Sequence, residues 1–224
     1  MLVLETIHRL PSGPAAILKA FCDNILVSGL GIQHLVVGDD FRFGSDRQGD
    51  FRLLQKAGKT HDFEVENTRT YTWQGRRVSS TRVRRCLEKS DFEQAGILLG
   101  QPFFMSGRVI HGEKLGRTIG VPTANLLPKR VKTPVNGVFA VEVAGVADQV
   151  WPGVANLGTR PTLNGEQVRL EIHLLDFEGD LYGKHLRVWF RHKLRDEKKF
   201  DRIDNLIVAI NQDIESARHY FKGS

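Results

Sequence analysis

The pattern of apolar residues changes character once along the chain, at Gly100-Gln101-Pro102, and this break constrains the fold more than any other feature. Before it, helical and extended segments alternate. Ile17, Leu18, Phe21, Ile25 and Leu26 recur at helical spacing, and Gly29 and Gly31 close that helix. His34-Leu35-Val36-Val37-Gly38 reads as a short strand of the kind buried in a parallel sheet, followed by a helix over 50–57 and a strand over 63–66. This βαβ rhythm implies an α/β domain with a parallel sheet. It begins abruptly and looks like the later part of a doubly wound unit. Short helices over 81–88 and 92–98 lead to the break. Beyond it, strands over 105–110, 138–143, 150–157, 168–175 and 186–190 are punctuated by Gly, Pro and Asn. Closely spaced short strands of this kind suggest a small antiparallel β-barrel. The chain ends in an amphipathic helix with Ile203, Leu206, Ile207, Ile210, Ile214, Ala217 and Phe221 on one face. Two domains are therefore expected, 1–100 and 101–224. No internal repeat or low-complexity tract appears.

Composition narrows the class. At 41% hydrophobic and 26% charged, the 224-residue chain suits a folded globular protein and not a disordered one. No run approaches the apolar length of a membrane span, and no signal-peptide order is present at the start, so neither a membrane nor an export role is expected. Cys22 and Cys86 fit neither a disulfide framework nor a metal spacing, which makes a reducing cytoplasm the expected location. The net charge of +6 is dispersed, about +2 before residue 100 and +4 after it. Such a balance suits phosphate-bearing small molecules as well as nucleic acid.

The densest chemical signal spans 107–126. Gly107, Gly112, Gly116 and Gly120 interleave with Arg108, Lys114 and Arg117, giving a loop whose backbone N–H groups can face an anion while cations neutralise it. A mobile hairpin with a solvated basic rim is the plain alternative. The stretch ends in Pro122-Thr123-Ala124-Asn125, where Thr123 and Asn125 share one face of an extended segment. Their oxygens are hard ligands suited to Mg²⁺, or else they satisfy turn hydrogen bonds. In 168–175, Leu170, Ile172 and Leu174 take one face, Arg169, Glu171 and His173 the other. A carboxylate fixed there can accept a hydroxyl proton during phosphoryl transfer, or simply form an exposed ion pair. His173 reads as a polar-face residue. Arg191 to Phe200 is a charge run whose Phe200 can cover a planar substrate. Val78-Ser79-Ser80-Thr81-Arg82-Val83-Arg84 sets hydroxyls at a helix N-terminus with arginines in its first turns, an anion site or a plain N-cap.

With these motifs in order, the stretch 107–126, through Leu115-Gly116-Arg117 and Pro122-Thr123-Ala124-Asn125, resembles the ATP-binding signature of riboflavin kinase. The similarity continues through Gly137-Val138-Phe139, the run from Ala155-Asn156 to Pro161-Thr162, the Glu171 strand and Leu194 to Phe200. The first part is similar to the adenylyltransferase module of bacterial bifunctional FAD synthetase, through Val36 to Gly44 and Val78 to Arg84. The resemblance implies riboflavin, FMN and ATP as ligands, with Mg²⁺ as cofactor. It makes Glu171 the general base for the ribityl 5′-hydroxyl. It gives ATP contacts to Gly107, His111, Gly112, Lys114, Leu115, Gly116, Arg117 and Pro122, and the metal and phosphates to Thr123 and Asn125. Arg195, Glu197 and Phe200 would belong to the flavin loop. Ser80, Thr81 and Arg84 would contact a second ATP, and Asp40, Phe41 and Phe43 would help form the other module's flavin pocket.

The histidine-bearing turn Gly-x-Phe-Asp-Gly-x-His-x-Gly-His of that module is not found in these 224 residues; His8 and His34 do not match it. Met1 is therefore expected to begin partway through the module, with adenylylation of FMN lost or impaired. The rival readings are a basic RNA-binding module without catalysis, which lacks an aromatic stripe to support it, and a flavin-binding module without turnover.

Overall fold

The computed structural model describes residues 19–38, 40–44, 47–112, 116, 119–128, 133–162 and 165–223. The expected helical positions Ile17 and Leu18, and the loop residues Lys114, Leu115 and Arg117, lie outside them. The chain forms two compact units that divide after Arg77.

In the first unit a π-helical segment, Phe21–Val27, precedes β1 (His34–Gly38), α1 (Phe51–His61) and β2 (Glu64–Thr68). β1 and β2 pair in parallel, His34 against Glu64, as the βαβ rhythm requires. Asp50 caps α1 by accepting from the Leu53 N–H at 2.9 Å, and Asp62 at φ 58° ends it. Cys22, Leu26, Val37, Phe43 and Leu54 form a small core. Burial raises the Cys22 thiol pKa. β1 is less enclosed than its apolar run suggests: among the described residues Val37 faces the core but Val36 is 51% exposed. A hairpin of β3 (Thr72–Trp73) and β4 (Arg76–Arg77), turning through Gln74 and Gly75 at positive φ, was not evident from apolar spacing.

The second unit begins with α2 (Ser80–Glu88) and α3 (Phe92–Leu99). It continues into a closed barrel in the order β10-β5-β6-β9-β8-β7, with every neighbouring pair antiparallel. The strands are β5 (Phe104–Ile110), β6 (Ala124–Leu126), β7 (Gly137–Ala144), β8 (Trp151–Thr162), β9 (Gly165–Leu174) and β10 (His185–Arg195). Five match the expected strands. β6 adds a sixth, only three residues long, too short to show a period of two.

Alternation along the strands fills the barrel. Leu126, Phe139, Val141, Leu157, Leu170, Ile172, Leu186 and Phe190 all point inward and are at most 1% exposed. Fully burying one such side chain contributes about 1.5–3 kcal/mol. Val138, Ala140 and Val154 face the other way and are covered by α4 (Ile203–Lys222) through Ala217, Ile214, Tyr220 and Phe221. Ile203, expected on that apolar face, is 51% exposed at the first turn of the helix. Two charged pairs tie α4 to the barrel. Arg218 donates from Nη1 and Nη2 to the Asp176 carboxylate, which holds that carboxyl below its usual range. Arg195 donates from Nε and Nη2 to Asp213, both at 2.8 Å.

Helices α2 and α3 share the barrel's core. The ring of Phe92 lies 5.6 Å from that of Phe139, 5.7 Å from Phe190 and 6.2 Å from Phe103. Phe92→Ala should therefore cost about 3 kcal/mol or more, through lost burial and the cavity left behind. A urea midpoint unchanged from that of the parent chain would show that α3 is not part of the barrel's cooperative unit.

Candidate functional site

The strand period that sends Leu170 and Ile172 inward sends Glu171 outward. Register places Asn125 of β6 opposite Glu171 on one side and Asn156 of β8 on the other. An amide, a carboxylate and an amide therefore stand in a row across three strands. Residues 125 and 171 are far apart in sequence, and only barrel closure brings them side by side.

This row forms one wall of a cavity of about 900 Å³. Gly116, Thr123, Asn125, Glu171, Arg195, Glu197 and Phe200, all singled out in the sequence, line it together. Asn156, Arg169, His173, Lys198, Lys199 and Asp213 line it too. Ile210 and Ile214 of α4 supply an apolar side. Four cationic side chains and three carboxylates meet there, so the cavity suits a ligand carrying both anionic and uncharged parts.

The segment leading into β6 is held tightly. Val121 donates its N–H to the Gly116 carbonyl at 2.8 Å. A Cβ on Gly112 would sit 2.6 Å from Asn125 Cγ, so only glycine lets the backbone close over that amide. Asn125 is 7% exposed. His173 is more than a polar-face residue: its Nδ1 lies 3.0 Å from the Pro122 carbonyl, the geometry of an N–H donating to it. That contact anchors the backbone immediately before Thr123. Arg169 Nη1 lies 4.0 Å from Glu171 Oε1, a loose ion pair along the same strand face.

The opposite wall comes from the end of β10 and the segment after it. Register shifts between Phe190 and His192 and between Lys193 and Arg195 mark irregularities that re-aim the last side chains of β10. Arg195 enters the cavity with its fork turned onto Asp213 of α4 and a further Nη1 bond to the Asp196 carbonyl at 3.0 Å. Its guanidinium lies 5.7 Å from the centre of the Phe200 ring, and Lys198 Nζ lies 5.8 Å from it. A hydrogen bond from Lys193 keeps the Asp196 carboxyl below its usual range. Glu197 lies against Gly158, where a Cβ would fall 2.7 Å from its carboxylate carbon.

Other sequence candidates fall elsewhere. His111 packs against Tyr182, with ring centres 4.1 Å apart and planes tilted by 34°. Pro122 and Thr123 border a smaller cavity of about 330 Å³ with Phe177, Leu181 and Tyr182, so Thr123 lies on the boundary of both. Gly107, Ser80 and Arg84 line a third cavity of about 1240 Å³ between α2 and the barrel. Ser79 is the residue that caps α2, accepting from the Arg82 N–H at 3.3 Å, and Thr81 is exposed. In the first unit, Asp40 pairs with Arg77 at 3.0 Å, Phe43 is buried, and Phe41 stacks on it at 5.7 Å.

Among the described residues no three His, Cys, Asp or Glu side chains gather as a metal cluster, and no helix is long and apolar enough to cross a membrane. Thr123 and Asn125 present a hydroxyl and a buried amide on one face of the cavity. That is a set of few, hard, neutral donors suited to an ion that completes its shell with ligand oxygens and water.

Comparison with known proteins agrees with this architecture. The riboflavin kinase family matches residues 99–221, and the FAD synthetase family matches 15–82. A bifunctional riboflavin kinase/FMN adenylyltransferase of Pseudomonas fluorescens is 52% identical over 97% of this chain and 69% of its own length. Its Escherichia coli K12 counterpart is 50% identical over 90% of this chain, which spans 64% of that protein. A crystal structure from Streptococcus pneumoniae, described as a macrolide-efflux protein, superposes with a TM-score of 0.63 at 33% identity, covering 90% of this chain and 64% of that one. The barrel with its terminal helix and the short parallel sheet before it thus place this chain in the bifunctional riboflavin kinase/FMN adenylyltransferase family.

Proposed function

We propose that the chain is a riboflavin kinase, transferring the γ-phosphoryl group of ATP to the terminal hydroxyl of riboflavin's ribityl arm to give FMN and ADP. The observation that carries this reading is the placement of Glu171. It is a lone strand carboxylate opposite Asn125, in one cavity with Thr123 and with the Arg195 to Phe200 segment. Phosphoryl transfer asks mostly for positioning, charge neutralisation and a base, and the cavity supplies residues for each.

Glu171 takes the proton from the attacking hydroxyl as its oxygen bonds to phosphorus and the bond to the ADP oxygen breaks. Thr123 and Asn125 hold magnesium and the phosphates, His173 keeping their segment in place through Pro122. When bound, magnesium neutralises charge on the phosphate oxygens. His111, Gly112 and Gly116 belong to the stretch that closes over the nucleotide, whereas Gly107 sits within β5 on the third cavity. The 330 Å³ cavity that shares Thr123 is of a size to take the base, with Tyr182 and Phe177 as its aromatic walls. Phe200 covers the isoalloxazine ring. Arg195 serves it indirectly: with its fork committed to Asp213, it fixes the segment that carries Glu197 and Phe200.

FMN adenylylation, the second activity in the relatives' name, calls on Asp40, Phe41, Phe43, Ser80, Thr81 and Arg84 and on the histidine-bearing turn not found in these residues. The product expected from the 224-residue chain assayed by itself is FMN without FAD. Accumulation of FAD from purified chain, ATP and FMN would contradict this.

Glu171→Gln should keep nucleotide and riboflavin binding while kcat falls about 10²–10⁴-fold, the range for loss of a general base. Equal kcat in the two proteins would remove Glu171 from the proton transfer. Thr123→Ala should raise the magnesium concentration needed for half-maximal rate at saturating ATP and riboflavin. Superimposable magnesium titrations would exclude Thr123 as a ligand. Riboflavin fluorescence also separates this reading from its rivals. Quenching without ATP turnover indicates a binding module, and salt-sensitive RNA affinity without quenching indicates a nucleic-acid role.

A further inference from the structure

One polar atom in the cavity wall has no role in the scheme above. Asn156 lies on β8 beside Glu171, with Val138 as its other cross-strand neighbour. Its side chain lines the cavity, yet Oδ1 is closed off from water and accepts no hydrogen bond from any described residue. Two other buried side-chain atoms share that condition among the described residues, Gln94 Nε2 and Trp151 Nε1, and neither residue lines this cavity. A buried acceptor without a donor destabilises the fold that contains it, so the folded chain alone gives Asn156 no reason to be where it is.

The neighbours do not supply the donor. An ionised Glu171 only accepts, Val138 carries no polar side-chain group, and Asn125 stands on the far side of Glu171 in the row. Asn136 directs its amide N–H to Glu197, at 3.4 Å. A ligand seated in the cavity is the donor source that the wall leaves open. Ionised phosphate oxygens only accept; of the donors that riboflavin and ATP carry, a ribityl hydroxyl is the one that belongs beside Glu171, because the arm has to end at that carboxylate.

We infer that Asn156 accepts a hydrogen bond from the ribityl hydroxyl adjacent to the one that is phosphorylated. It thereby fixes the arm so that the terminal alcohol meets Glu171, and it discriminates against shorter or deoxygenated side arms. The terminal amide torsion is soft, so Oδ1 reaches an incoming hydroxyl by rotation of χ2 without backbone movement. This inference rests on Glu171 being the base, and it adds a specificity residue which neither the glycine-rich loop nor the Thr123 to Asn125 segment provides.

The test compares wild-type chain with Asn156→Ala and Asn156→Ser, using riboflavin and a riboflavin analogue lacking the hydroxyl next to the terminal one. Asn156→Ala should raise the riboflavin KM about tenfold, as loss of one hydrogen bond to a buried partner does. The ATP KM and magnesium midpoint should stay within about twofold on the same reasoning. The Tm should be equal to or above that of wild type, because an orphaned acceptor has been removed. Asn156→Ser, which keeps a small acceptor, should recover part of the loss. The analogue should be a poorer substrate for wild type, while Asn156→Ala should treat it and riboflavin alike. A lowered Tm with an unchanged riboflavin KM would assign Asn156 to the fold, and a shifted magnesium midpoint would assign it to the metal; either overturns the inference. Failure of the wild-type chain to phosphorylate riboflavin would overturn the activity itself and is read before any variant is compared.

Discussion

The site exists because six strands close on themselves with a fixed alternation. Once β6, β9 and β8 are in register, Leu170 and Ile172 must enter the core, and Glu171 must leave it between Asn125 and Asn156. A one-residue slip would exchange the two sets, burying a carboxylate and exposing leucines. The apolar interior that stabilises the barrel therefore also sets the position of its chemistry. No loop has to hold Glu171 in place.

The remaining parts are arranged around that wall by two different devices. On one side the backbone itself is shaped, by Gly112 closing over the Asn125 amide and by the Pro122 carbonyl held at His173. On the other side a charged pair does the positioning. Arg195 and Asp213 connect the irregular end of β10 to α4, and from that joint the chain runs directly into Glu197 and Phe200. Asp213 is 6% exposed, which makes this pair costly to break and gives the segment a fixed origin. A rigid wall facing a segment tethered at one end suits a reaction that encloses two substrates, one of them a planar ring.

Much of this was legible in the sequence, for identifiable reasons. β9 alternates apolar and polar residues from Val168 to Leu174, and α4 repeats its apolar positions over five turns, so both announce their period. Thr123 and Asn125 share a face in any extended chain, whatever the fold around them. What stayed hidden depends on partners distant in sequence. Asn156 sits in an ordinary strand run, and only the pairing of β8 with β9 shows it beside Glu171. Asp213 reads as the polar face of an amphipathic helix until Arg195 is seen against it. The membership of α2 and α3 in the barrel's unit hangs on Phe92, whose ring contacts with Phe139 and Phe190 have no counterpart in local spacing. The openness of β1 at Val36 is likewise a property of what packs on it, which an apolar run does not disclose.

The most direct measurement is a crystal structure of the chain with magnesium, ADP and riboflavin bound together. The expected result is a Glu171 carboxylate oxygen within hydrogen-bonding distance of the ribityl terminal hydroxyl, with the ADP phosphates at Thr123 and Asn125. A riboflavin arm that ends away from Glu171, or nucleotide phosphates seated in another cavity, would contradict the account at its centre.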